Sequence, residues 1–247
     1  MLLKIIVFFL SLSRCTESKV FESPGDCELV VDGIPHTSLM FADPGAEVSV
    51  DVAGDCSTSE VRVVAVGGGG YGSYGGGGSG LIQYQTKGLA GVTNIRLTVG
   101  DHAEPSSVII NDQRIVAKPG FDGILEHGGY GYSGGSGWCL DVRPCRGGSD
   151  GGDGDDVGSY SGGHGSSVDI SNYKLDHWVL TPGAGGDGTV QGRCVSGDHE
   201  GAGAGGVLVN GYGPDHYVQD GEGYGGGGGF CGGESGHQGV ILLEIVQ

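Results

Sequence analysis

Glycine is the feature that most constrains this chain: 53 of its 57 glycines lie between Gly67 and Gly239, many of them in runs such as Gly67–Gly70 and Gly225–Gly229. Glycine has no side chain to bury and loses more backbone freedom on folding than any other residue. A chain this rich in glycine therefore needs either covalent crosslinks or a packing that only glycine permits.

Two structures are available to the glycine runs. One is a flexible linker. The other is a bundle of extended left-handed helices with three residues per turn, which pack closely only where side chains are absent from the contacts. The runs alternate with apolar segments, and aromatic residues such as Tyr71, Tyr224 and Phe230 lie directly beside them. This interleaving predicts folded polyglycine II segments, while the lack of a strict tripeptide repeat disfavours collagen.

The segments between the glycine runs are short, rich in Val, Ile and Leu, and show no helical apolar periodicity. They predict an all-β protein in which β-sandwich-like strands combine with bundled polyglycine II segments, stapled by disulfides. Asn111-Asp112 predicts a hairpin turn between two of them. The predicted strands are 29–31, 47–52, 61–66, 81–85, 94–99, 107–110, 114–117, 178–180, 207–210 and 240–246.

The first 18 residues have the composition of a secretory signal peptide. Lys4 gives a positive start, residues 5–12 are apolar, and small residues follow. The sequence therefore predicts a secreted, extracellular protein without a membrane span. We expect a signal peptide over 1–18, an N-terminal β region over 19–66 and a glycine-rich β/polyglycine region over 67–247; alternatively, 19–247 form one unit.

Six cysteines remain once Cys15 is removed with the signal, and an even number in a secreted chain predicts a disulfide framework. Spacing does not decide the pairing. Zinc is the rival interpretation, but no C-x-x-C pair occurs. Pairing in order along the chain would join Cys27 to Cys56, Cys139 to Cys145 and Cys194 to Cys231.

The formal net charge is −18. So negative a chain is repelled by nucleic acids and by anionic membranes, and neither is an expected partner. Cations, mineral surfaces and basic proteins are favoured instead, although the charge also serves solubility. One acidic loop, Ser149–Ser159, has the carboxylate density that suits Ca²⁺. The candidate ligands are Asp150, Asp153, Asp155 and Asp156.

Catalytic motifs occur only as matches that glycine abundance makes common. Gly67, Gly69 and Gly72 satisfy G-x-G-x-x-G, but the sequence predicts no helix after them and no acidic residue at the required distance. G-x-S-x-G occurs at 131–135 and 147–151 without a strand-turn-helix context. The sequence therefore predicts a non-enzymatic protein with no cofactor except Ca²⁺ in the acidic loop.

The order of several segments resembles a known family of extracellular domains. VRVVAVGGGG (61–70), IRLTVG (95–100), GAGAGGVLVNGYGP (201–214), GEGYGGGGGF (221–230) and GVILLEI (239–245) are similar to the glycine-rich domain of the anaplastic lymphoma kinase and leukocyte tyrosine kinase receptors, and to secreted invertebrate proteins with this domain alone. The resemblance implies a β-sandwich with bundled polyglycine helices. In the receptors the domain contributes to recognising basic ligands. No kinase segment is present here, so signalling is not implied.

The sequence thus predicts a secreted structural or extracellular-matrix-associated protein. Its expected partners are an extracellular protein, a matrix or a mineral surface. The alternative is a soluble acidic binding module that captures a basic peptide or protein.

Overall fold

The computed structural model describes residues 26–72, 77–123, 170–185, 203–214, 220–229 and 236–246. Within these ranges every regular element is a β-strand, which confirms the all-β prediction, and none of these residues forms a helix that could cross a membrane. The strands are β1 (Glu28–Val31), β2 (Ile34–His36), β3 (Ser38–Phe41), β4 (Val48–Ala53), β5 (Glu60–Val66), β6 (Ile82–Gly88), β7 (Asn94–Thr98), β8 (Ser106–Ile110), β9 (Gln113–Ala117), β10 (Leu180–Pro182), β11 (Val207–Val209) and β12 (Val240–Val246).

Two antiparallel sheets form a sandwich. The larger sheet has the order β2-β1-β4-β7-β8-β9, and the smaller has the order β3-β12-β5-β6. Strands from before and after residue 66 pair in both sheets, as in β4 with β7 and β12 with β3. The core between the sheets contains fully buried side chains such as Val50, Val63, Leu97, Ile241 and Leu243.

The smaller sheet is covered on both faces. Alternate residues of β5 and β12 enter the core of the sandwich, and those between them, including Val64 and Leu242, enter a second apolar cluster. Ile170, Val207 and the half-buried Trp178 contribute to this cluster from the opposite side. Burial on both faces explains why these strands are continuous apolar runs instead of alternating ones.

Most predicted strands are present with shifted ends. The turn at Asn111-Asp112 is confirmed, with φ of 47° and 60°, and it joins β8 to β9. The strand expected at 178–180 lies at Leu180–Pro182 instead, where Thr181 pairs with Leu208. Two short strands, β2 and β3, were not predicted: β2 includes a proline, and the apolar residues of β3 form a run of only three, Leu39, Met40 and Phe41.

Cys27 and Cys56 form a disulfide with a Cα–Cα distance of 4.8 Å. Cys27 directly precedes β1 and Cys56 follows β4, and these two strands pair with each other. Both cysteines are buried in the core of the sandwich. The bond therefore fixes the end of a strand pair that hydrogen bonds already hold together.

Candidate functional site

The glycine segments continue the smaller sheet beyond one of its ends. Strand β5 runs directly into residues 67–72, residues 77–80 lead towards β6, and residues 236–239 lead into β12. Because β5 is antiparallel to both neighbours, its end lies beside their beginnings, with Val66 opposite Ile82 and Val240. The strands therefore bring three glycine segments together. We call these segments, with residues 203–206 and 220–229, the glycine bundle.

Hydrogen bonds in the glycine bundle repeat every three residues. The amides of Gly67 and Gly70 both donate to the 77–81 segment, at Leu81 (3.0 Å) and Gly78 (2.9 Å). Between them, Gly68 donates to Glu104 and Gly69 donates to His237, in two different segments. Successive residues of a β-strand direct their hydrogen bonds alternately to two neighbouring strands. Each glycine segment here forms hydrogen bonds with at least three neighbouring segments.

The next segment has the same repeat. The amides of Gly77 and Gly80 both donate to the 225–228 segment, at Gly228 and Gly225, each at 2.8 Å. Gly78, between them, donates to Phe121 at 2.9 Å. A polar backbone buried this deeply must satisfy its hydrogen bonds within the protein, and the bundle does so by using neighbours in several directions.

The segments approach too closely for any side chain. A Cβ atom built on Gly80 would lie 1.9 Å from the carbonyl oxygen of Gly67, and one on Gly69 would lie 1.9 Å from that of Gly226. On Gly221 the distance to the carbonyl oxygen of Ala204 would be 1.7 Å. Glycine is therefore required here by backbone-to-backbone packing, at φ values that other residues also adopt.

The G-x-G-x-x-G match at Gly67, Gly69 and Gly72 lies in this packed bundle and does not have the geometry of a phosphate-binding loop. A dinucleotide fold uses free backbone amides at a helix N-terminus to bind the pyrophosphate. Here the chain continues from β5 as an extended glycine segment, and the amides of Gly67 and Gly69 already donate to Leu81 and His237. The match therefore reflects the bundle's need for glycine.

An aromatic and acidic rim borders the glycine bundle at residues 101–104 and 121–123. The Tyr71 ring lies edge-on to His102, with centroids 5.4 Å apart, and the backbone amide of Tyr71 donates to Asp122 at 2.8 Å. The Nδ1 atom of His102 is 2.8 Å from a carboxylate oxygen of Asp101. Phe121 is 63% exposed, so an apolar ring lies in solvent at the end of the bundle.

Among the described residues of the smaller sheet, Glu244 on β12 is a fully buried carboxylate. Its oxygens accept hydrogen bonds from the backbone amides of Asp176 and His177, and Oε1 lies 2.6 Å from Nδ1 of His177. Oε2 also accepts from Arg62 on β5, at 3.3 Å. A buried charge is tolerated only when it is paired and hydrogen-bonded, and Glu244 meets both conditions.

Arg62 joins this carboxylate to the covering segment. Its Nη1 atom donates to Asp176 at 2.8 Å, and this hydrogen bond is the main reason that the pKa of Arg62 is raised, so the guanidinium stays charged. The cluster ties β5, β12 and residues 176–177 together. We call it the Glu244 clamp, because its hydrogen bonds join three parts of the chain. Within the described ranges no group of three or more His, Cys, Asp or Glu residues could hold a metal ion.

Most predicted site residues lie outside the described residues. They include the four candidate Ca²⁺ ligands Asp150, Asp153, Asp155 and Asp156, and both G-x-S-x-G matches. Ca²⁺ binding therefore stays a prediction. The same holds for the remaining disulfide partners, Cys139, Cys145, Cys194 and Cys231.

Sequence reasoning missed Glu244, although one signal was present. It is the single charged residue in the apolar run Val240–Val246, at an alternate position shared with Leu242. A carboxylate at a core-facing position of a strand requires buried partners. The identity of those partners could not be read from the sequence, because Arg62 and His177 lie 182 and 67 residues away.

No protein-family model, curated protein or solved structure matches this chain.

Proposed function

We propose that this protein is a secreted, non-enzymatic structural component of an extracellular matrix. The observation that carries the proposal is the glycine bundle, in which short glycine segments satisfy one another's amides at close packing. Such a bundle gives a stiff body without large side chains. Glycine runs used as flexible linkers would instead leave their amides to water.

We infer that the bundled segments are polyglycine II helices. The three-residue hydrogen-bond repeat of Gly67–Gly70 and Gly77–Gly80 supports this inference, because a helix with three residues per turn directs successive amides to three neighbours. The resemblance to the receptor glycine-rich domains predicts the same architecture. The buried disulfide between Cys27 and Cys56 is compatible with an oxidising, extracellular location.

The experiment that tests the proposal is expression of the full chain in a secreting cell that deposits matrix. We expect the protein in the medium at first and then in the insoluble matrix fraction, with the glycine bundle resistant to protease. A matched variant is Gly80→Ala, which should disrupt the bundle, whereas Gly88→Ala should not. Recovery of folded wild-type protein only as free soluble material would contradict a structural role.

A second candidate function is capture of a basic peptide or protein. One observation favours it: residues 26–60 contain eight Asp and Glu residues and neither Lys nor Arg. Exposed ion pairs of this kind are screened over about 8 Å at physiological ionic strength. Binding of a Lys/Arg-rich peptide should therefore weaken steeply when NaCl is raised from about 0.05 to about 0.5 M. Salt-independent binding would count against capture by charge.

A further inference from the structure

One face of the larger sheet points away from the core, and its exposed side chains are divided by charge. Side chains alternate along each strand, so strands that send Leu29, Val50 and Ile95 into the core send the intervening residues outward. We call this side the outer face and define it by Glu28, Asp51, Arg96, Ile109, Arg114 and Val116.

One half of the outer face is acidic. Glu28 on β1 and Asp51 on β4 point outward, and the turns at the ends of these strands add Asp32 and Asp55. Asp51, Asp32 and Asp55 are exposed. Because residues 26–60 contain no Lys or Arg, this half has no positive charge of its own.

The other half is basic. Arg96 on β7 and Arg114 on the edge strand β9 are exposed, and Lys118 follows directly after β9. The half-buried Ile109 and Val116 lie between these charges. Asp112 in the β8–β9 turn is an acidic residue on this side, and Arg96 lies 3.7 Å from Glu47, but both partners of that pair are about half exposed. Such surface pairs are weak, so Arg96 remains available to a partner.

We propose that the outer face binds the same face of a second copy of this chain. Charge complementarity favours one of the two possible orientations of the copies. When two identical faces are related by a two-fold axis parallel to the strands, the acidic half of each lies over the basic half of the other, and the apolar residues meet between them. A two-fold axis perpendicular to the strands would place acid over acid and is disfavoured.

The area of the outer face determines how strongly the two copies should associate. Six strands of three to six residues, spaced about 4.8 Å apart with about 3.3 Å per residue, give a patch of roughly 400 Å². The two copies together would bury roughly 800 Å², which is below the range of about 1,200–2,000 Å² for stable interfaces and typical of weak ones, so the dimer should dissociate on dilution. The net charge of the chain opposes association at long range, but salt screens that repulsion beyond about 8 Å while the facing halves are in contact.

Sedimentation velocity of the purified full chain over a dilution series at about 0.15 M NaCl tests the proposal. We expect a monomer–dimer equilibrium that is lost near 1 M salt, where screening acts over about 3 Å. Two variants reverse one half each: Glu28→Lys with Asp51→Lys makes both halves basic, and Arg96→Glu with Arg114→Glu makes both halves acidic. Each alone should weaken dimerisation by at least roughly tenfold, and an equimolar mixture should restore a dimer.

Lys174→Glu is the matched control, because Lys174 is exposed on the segment that covers the opposite, smaller sheet. It should leave dimerisation unchanged, and circular dichroism should show all variants folded. A wild-type chain that is monomeric throughout the dilution series would overturn the proposal. So would a dimer that survives both reversals, or a mixture of the two variants that stays monomeric. Because the readout is self-association in solution, it is independent of retention in a matrix and of the proposed function.

Discussion

Replacing Gly80 by alanine tests whether glycine is required by close packing. The new Cβ would lie 1.9 Å from the carbonyl oxygen of Gly67 and 2.5 Å from its carbonyl carbon. Real Cβ atoms essentially never approach closer than 3.0 Å, so the two segments must separate by at least 1.1 Å, which is 3.0 minus 1.9. Both sides of this contact are backbone, and neither can move like the end of a flexible side chain.

Separation weakens the hydrogen bonds on both segments. Gly80 donates to Gly225 at 2.8 Å, and Gly67 donates to Leu81 at 3.0 Å. Overpacking costs about 1–3 kcal/mol, and each buried group left without a partner costs about 1–3 kcal/mol more. With one buried group left without a partner, we therefore expect Gly80→Ala to lower the free energy of unfolding by about 2–6 kcal/mol. That is a large share of the total for a protein stable by about 5–15 kcal/mol.

Urea unfolding of the secreted protein measures this difference, with secretion yield as a second readout if the variant does not fold. Gly88→Ala, in strand β6, is the matched control, because a Cβ on Gly88 meets nothing within 4 Å. It should be neutral or more stable by less than about 1 kcal/mol. A Gly80→Ala variant as stable as Gly88→Ala would refute the packing argument for the glycine bundle.

Three further perturbations have expected outcomes. Glu244→Gln removes the buried charge that pairs with Arg62 and His177, and should cost about 2–4 kcal/mol in urea unfolding; a change under about 1 kcal/mol would contradict the clamp. Reduction of the Cys27–Cys56 bond, which closes a separation of 29 residues, should cost about 3–4 kcal/mol, measured as a lower unfolding midpoint in reductant. Burial and then Asp43 raise the pKa of Tyr224 above its usual 10.0, so the folded state favours the neutral phenol. Stability should therefore fall as the pH rises above about 10 and the unfolded chain ionises first, and Tyr224→Phe should remove that part of the pH dependence.

The sequence predicted those strands whose apolar residues are numerous enough to enclose a core. Residues 61–66 and 240–246 were placed correctly because burial on both faces makes them continuous apolar runs. The sequence placed strand β10 two residues too early, because Trp178 and Val179 are residue types that are common in strands. In the structure Trp178 packs against the second apolar cluster and Val179 is exposed. The Glu244 clamp was missed because its partners come from distant parts of the chain.

The partners within the glycine bundle could not be predicted at all. The pairing register of a strand is determined by which of its alternating side chains must be buried. A glycine run has no side chains, so its sequence contains no such pattern. The register of residues 67–72 against 77–80 and 225–228 must therefore come from what lies at their ends. Gly67 follows Val66 and Gly239 precedes Val240, and these two valines are paired in the smaller sheet.

The sandwich therefore explains how so much glycine can be ordered. Ordering a free glycine segment costs more backbone entropy than ordering any other residue type, and the hydrogen bonds gained are individually small. Once β5, β6 and β12 have paired, residues 67–72, 77–80 and 236–239 each have one end fixed beside the others, and part of that entropy has been lost before the bundle forms. On this reasoning the apolar core must form first or together with the bundle. A core substitution such as Val63→Ala should then increase protease cleavage within the distant 225–228 segment as well as near residue 63, whereas Gly80→Ala should expose the bundle while leaving more of the sandwich protected from hydrogen exchange.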